Sequence, residues 1–98
     1  MTSSEEPLPT SKQKLEVCNE STRAIEVMVE MTPERFILRP KDKLILIADA
    51  ENAPRNEGFT LNFYDGGVQI YAAWDGQPSA YINGQPAESD YTTKVPFA

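Results

Sequence analysis

The stretch Ile25-Glu26-Val27-Met28-Val29-Glu30-Met31 decides the fold class. Ile25, Val27, Val29 and Met31 alternate with Glu26, Met28 and Glu30, so the apolar set shares one face of a strand. On a helix the same residues would spread around the cylinder. Thr32-Pro33-Glu34 ends the run.

The text on either side has the same grammar. Upstream, Leu15-Glu16-Val17-Cys18 alternates and Asn19-Glu20-Ser21-Thr22 is a turn cluster. Downstream, Phe36 and Leu38 share a face, and Pro40-Lys41-Asp42 turns the chain. Leu44-Ile45-Leu46-Ile47-Ala48 is a continuous apolar run between Pro40 and Asp49. Its shortness favours a strand buried on both faces over a helix. Residues 49–58 form the longest internal polar connection, which a crossover between sheets would explain. Phe59, Leu61 and Phe63 alternate with Thr60, Asn62 and Tyr64, and Asp65-Gly66-Gly67 is a hairpin turn because glycine accepts positive φ. Val68, Ile70, Ala72 and Trp74 form the next apolar face. Asp75-Gly76-Gln77-Pro78 turns again, Ala80 and Ile82 mark a short strand, and Asn83-Gly84 closes it.

The result is about seven short strands, turn signals every 8–12 residues and no helix. The expected fold is all-β: a single antiparallel β-sandwich, immunoglobulin-like by strand count, with a small barrel as the other closure. Residues 1–13 are too polar to repay their ordering and read as a disordered tail. Residues 14–84 form the domain, and residues 85–98 are a C-terminal tail or a pinned edge segment.

Composition removes function classes. The chain has 98 residues, no histidine and one cysteine. That leaves no Ser-His-Asp or Cys-His centre, no intrachain disulfide and no histidine-ligated copper or thiolate-held zinc site. A net charge of −6 and a pI near 4.5 argue against nucleic acid as a partner. No apolar stretch is long enough to span a bilayer, and the N-terminus has no secretory h-region, so the expected compartment is the cytoplasm.

A resemblance rests on Asn19-Glu20-Ser21, Val27-Met28-Val29-Glu30, the segment Phe36 to Asp42, Val68 to Trp74, and Asn83-Gly84. These segments resemble small uncharacterised bacterial β-sandwich proteins. There an Asn-led turn precedes a strand ending in Glu, a Phe-x-Leu-x-Pro-Gly-type turn follows, and an aromatic strand comes late. Lys41 stands where glycine is usual. The resemblance spans residues 19–84 and carries over no functional residue.

Several constellations bear on chemistry. Glu26 and Glu30 share a face but sit about 13 Å apart at about 3.3 Å per residue, too far for a glycosidase pair. Asp65 and Asp75 flank one strand from opposite ends. The EF-hand pattern is missing, and the oxygen-bearing residues of 49–58 are irregularly spaced around Arg55. Cys18 lacks an activating histidine and reads as an inert thiol. Arg35, Arg39, Lys41 and Lys43 cluster around the Pro40 turn and read as a solvated basic patch. Residues 1–50 carry −2 (7 basic, 9 acidic) and residues 51–98 carry −4 (2 basic, 6 acidic), a polarity that can steer a partner.

The aromatic residues of the second half are the expected working surface. In a meander, Tyr64 and Tyr71 project from the outer face and Tyr81 follows on the next strand. Trp74 has the parity of Ile70 and Ala72 and belongs to the core. Outward tyrosines stack ligands or anchor partners. The sequence therefore points to a non-catalytic protein-interaction or self-associating β-domain, with no cofactor, no metal and no membrane partner. The alternative is a carbohydrate or small-ligand binding module using Tyr64, Tyr71, Tyr81 and Trp74.

Overall fold

The structure, a computed structural model, describes residues 12–30, 33–49, 58–72 and 77–95. It contains eight strands among these residues: β1 (Lys12–Cys18), β2 (Ile25–Val29), β3 (Glu34–Leu38), β4 (Lys43–Asp49), β5 (Phe59–Tyr64), β6 (Gly67–Ala72), β7 (Ser79–Ile82) and β8 (Gln85–Pro86). All-β is therefore correct. The extra strand is β8, two residues long, folded onto β7 by an Asn83-Gly84 turn in which both residues have positive φ.

The strands form two four-stranded sheets. One has the order β1-β4-β7-β8 and is antiparallel throughout; the other has the order β3-β2-β6-β5. In the second sheet β2 and β6 run parallel, pairing Val27 with Val68 and Val29 with Ile70. That corrects the expectation of a purely antiparallel fold. Both sheets are open at their edges, so the small-barrel alternative is also overturned.

Sheet membership explains the long connections. Strand β4 belongs to one sheet and β5 to the other, so the segment between them passes from sheet to sheet, as its length suggested. The connection from β6 to β7 does the same. Residues 1–11 and 50–57 lie outside the described residues, and so do the expectations of a disordered N-terminus and an ion-binding loop. Trp74 also lies outside them. Among the described residues no helix is long and apolar enough to cross a membrane.

One hydrophobic cluster draws on both sheets. Val27, Val29, Phe36, Leu38, Val68 and Ile70 come from one, and Leu44 and Leu46 from the other. All eight are essentially withdrawn from water, each contributing about 1.5–3 kcal/mol relative to exposure. Strand β4 shows where the two-face expectation fails. Leu44, Leu46 and Ala48 are buried, whereas Ile45 and Ile47, on the other face, are half-buried.

Two turns depart from the simplest chemistry. The amide of Asp42 donates to the Arg39 carbonyl at 3.0 Å, with Pro40 second and Lys41 third in the turn. Lys41 has φ 75°, the left-handed value that a type II turn requires and glycine supplies at least cost. Next to it sits Asn19, 2% exposed. Its Nδ2 donates to the carbonyls of Arg23 and Leu38, both at 2.8 Å, and its Oδ1 accepts from the Ser21 amide and hydroxyl. Its backbone bonds Asp42 and Lys41. One amide side chain thus welds the β1–β2 connection to the end of β3.

Candidate functional site

The four sheet edges differ in how they meet solvent. An edge strand presents unpaired backbone groups, which proteins blunt with charge, proline, short length or a covering segment. Edge strand β1 carries Lys14 and Glu16 along its exposed positions. Edge strand β8 is two residues long and contains Pro86. Edge strand β3 is latched: the Asp90 amide donates to the Arg35 carbonyl at 2.7 Å, and Arg35 Nη1 donates to the Asp90 carbonyl at 2.9 Å. Beside it the Tyr91 hydroxyl donates to the Pro33 carbonyl.

Among the described residues, edge strand β5 shows no charge, no proline and no latch like that on β3. Its sequence, Phe59-Thr60-Leu61-Asn62-Phe63-Tyr64, contains no charge and no proline over six residues. Among the described residues it pairs with β6 alone. Phe63 has the same parity as the core-facing Phe59 and Leu61, yet it is 77% exposed. The alternation of β5 is thus apolar on the inner face, polar on the outer face, and open along one side.

Phe63 also borders a cleft of about 580 Å3 at the end of the two sheets. Val17, Ile25, Phe63 and Val68 supply apolar wall, and the Asn19-to-Ala24 connection supplies the rim. The free thiol of Cys18 is exposed at that rim.

The outer face of the β5 sheet is a hydrogen-bonded polar layer. Arg35 and Glu26 form an ion pair through Nε and Oε2, and the Tyr64 hydroxyl donates to Glu26 Oε1 at 2.6 Å. Gly67 lies between Glu26 and Tyr64 in the ladder. A Cβ there would meet the Glu26 carbonyl at 2.2 Å and the Tyr64 hydroxyl at 3.0 Å. The absence of a side chain at Gly67 is what lets Tyr64 cross β6 and reach β2. The Arg35 hydrogen bond, then the Tyr64 hydrogen bond, hold the Glu26 carboxyl below its usual range. Burial and the Glu26 carboxylate push the Tyr64 phenol up. Gln69 Nε2 donates to Glu30 Oε2 at 2.8 Å.

The expected tyrosine surface is dispersed by this topology. Tyr64 and Tyr71 do share the outer face of one sheet, both partly exposed. Tyr71 stands opposite Thr60, four residues from Tyr64, which is about 13 Å along the strand. Tyr81 is on β7, in the other sheet, facing a shallow hollow with Lys14, Ile47 and Ser79. The meander that would align all three does not exist, because the β6–β7 connection changes sheets. Arg35 likewise leaves the solvated basic patch: it is 9% exposed and bound to Glu26. Among the described residues, no group of three or more acidic or cysteine side chains could hold a metal ion.

The sequence signal for this edge is a negative one. Uncharged text from Phe59 to Tyr64 is ordinary for a central strand and becomes informative only once β5 is known to be an edge. No protein family, curated protein or solved structure matches the chain.

Proposed function

We propose that the two sheets face one another as a β-sandwich, and that the protein is a non-catalytic interaction module working by strand addition at β5. The observation that carries this reading is the contrast between edges: β1, β8 and β3 are each protected, and β5 is uncharged, has β6 as its one paired strand among the described residues, and is tipped by an exposed Phe63. An extended partner laid along such an edge gains main-chain hydrogen bonds, and alternate side chains give it specificity. The non-catalytic part is supported by the state of the carboxylates. Glu26 is engaged by Arg35 and Tyr64, and Glu30 by Gln69.

The test is amide-resolved NMR titration with an extended hexapeptide of alternating valine and threonine. Shifts centred on Thr60 to Phe63, with slowed exchange of the Leu61 and Phe63 amides, support the reading. Shifts confined to Tyr71 or to the β1–β2 connection defeat it. The cleft beside Phe63 favours one second reading, a site for a small apolar ligand. It predicts shifts at Val17, Ile25 and Val68 on adding a hydrophobic dye, with β5 exchange unchanged.

A further inference from the structure

We propose that the hollow on the outer face of the β1-β4-β7-β8 sheet binds small aromatic carboxylates. It lies apart from β5, which belongs to the other sheet, and from the cleft beside Phe63. Among the described residues it is lined by Gln13, Lys14, Ile47, Ser79 and Tyr81, and it encloses about 470 Å3. Small-molecule sites occupy about 300–1,000 Å3.

The strand register sets the layout. Lys14 pairs with Ile47 and Ile47 with Ser79, so one rung crosses three strands. Two steps of about 4.8 Å place Lys14 and Ser79 about 10 Å apart. Tyr81 stands two residues along β7 from Ser79 and shares its face. Ile47 and the Tyr81 ring are half-buried and form the floor. Gln13, Lys14 and Ser79 are exposed at the margin.

The lining is chemically lopsided, and that selects the ligand. Among the described residues the ion pairs are Arg35–Glu26 and Lys41–Glu20, so the Lys14 ammonium has no carboxylate of its own there. The Gln13 amide and the Ser79 and Tyr81 hydroxyls likewise make no side-chain hydrogen bond among the described residues. A matching ligand presents one anionic group to Lys14 and a flat apolar body to Ile47 and Tyr81. The carboxylate accepts a charge-assisted hydrogen bond from the ammonium. The ring lies offset against the Tyr81 ring. A sugar fits less well, because hydroxyls above Ile47 lose water without gaining a partner.

The net charge of −6 repels anions at long range. At physiological salt the Debye length is about 8 Å, so groups touching the ligand decide its binding. Glu16 shares the outer face about 7 Å along β1 from Lys14 and opposes the ligand from beside the hollow.

The test is amide-resolved NMR titration of the full chain at about 0.15 M salt. The probes are 2-naphthoate, its neutral amide and cellobiose. We expect naphthoate to shift Lys14, Ile47, Ser79 and Tyr81. It should bind about tenfold tighter than the amide, the difference one charge-assisted hydrogen bond makes. Lys14→Met should erase that tenfold difference; Lys14 is exposed, so folding is not at stake. Glu16→Gln should tighten naphthoate and leave the amide unchanged. Equal affinity for acid and amide overturns the carboxylate as ligand. Tighter binding of cellobiose overturns it in favour of a sugar. Shifts centred on Val17 and Phe63, or none at the four residues up to the solubility limit of naphthoate, overturn the hollow as the site.

Discussion

Replacing Asn19 tests the joint between two connections far apart in sequence. Its side chain makes four hydrogen bonds, two donated to the Arg23 and Leu38 carbonyls and two accepted from Ser21. In Asn19→Ala the buried Leu38 carbonyl loses its side-chain donor, a penalty of about 1–3 kcal/mol. The remaining three bonds lie closer to water and are worth about 0.5 kcal/mol each. The expected loss is about 3 kcal/mol. With a urea m-value of about 1–1.5 kcal/mol/M for a chain of this size, the midpoint falls by about 2–3 M. Asn19→Asp is nearly isosteric but replaces the amide donor with an oxygen aimed at two carbonyl oxygens. At pH 7 it should cost more than alanine, because a buried carboxylate then faces two acceptors. Urea melts of the three proteins, followed by Trp74 fluorescence and far-UV circular dichroism, decide it. An Asn19→Ala loss below 1 kcal/mol, or an aspartate as stable as asparagine, would refute the joint.

Three other outcomes follow from the same geometry. Gly67→Ala drives a Cβ to 2.2 Å from the Glu26 carbonyl, so a loss of about 3 kcal/mol in urea melts is expected, near the top of the overpacking range; a neutral result would mean β2 and β6 approach less closely. Lys41→Gly relieves a left-handed residue at φ 75° and gives up an exposed contact with Glu20. A net gain of about 0.5 kcal/mol should appear as a higher thermal midpoint. The folded Glu26 carboxyl lies below its ordinary 4.5, so its contribution is complete above that pH and is lost as pH falls through the lower folded value. Glu26→Gln should therefore flatten the decline of the urea midpoint below pH 4.5; an unchanged slope counts against the Arg35–Glu26–Tyr64 arrangement. Asp90, held low mainly by the Thr93 hydroxyl and amide, adds to that acid loss in both proteins.

Much of the strand layout was legible, because alternation reports directly on a half-buried face. Val27, Val29, Phe36, Leu38, Val68 and Ile70 all fell on the face that the structure buries. Pairing was not legible. Strands β2 and β6 are forty residues apart, and nothing local records that they run parallel. Tyr81 was misplaced for that reason: its own parity was readable, its sheet was not. Arg35 looked like one more turn cation because its partner Glu26 lies across the β2–β3 pair. The Pro40 turn was legible, but the left-handed state of Lys41 was not, since lysine rarely adopts it. Phe63 shows the converse limit. Its parity marks it as inward, but it stands on an edge strand, opposite the buried Val68, and is itself 77% exposed, so inward did not mean buried.

The latch between Asp90 and Arg35 has a consequence for assembly. A sheet that can join at one edge makes pairs and stops; a sheet that can join at both edges keeps growing. Residues 90–91 cap β3 by backbone and hydroxyl contacts, so on the strand-addition reading β5 is the edge of this sheet that would recruit. A chain cut before Asp90 would offer two unlike edges. Pairing of β3 on one molecule with β5 on the next is head-to-tail and does not close. On the strand-addition reading, the turn at Asp90 is then what limits this sheet to one added strand.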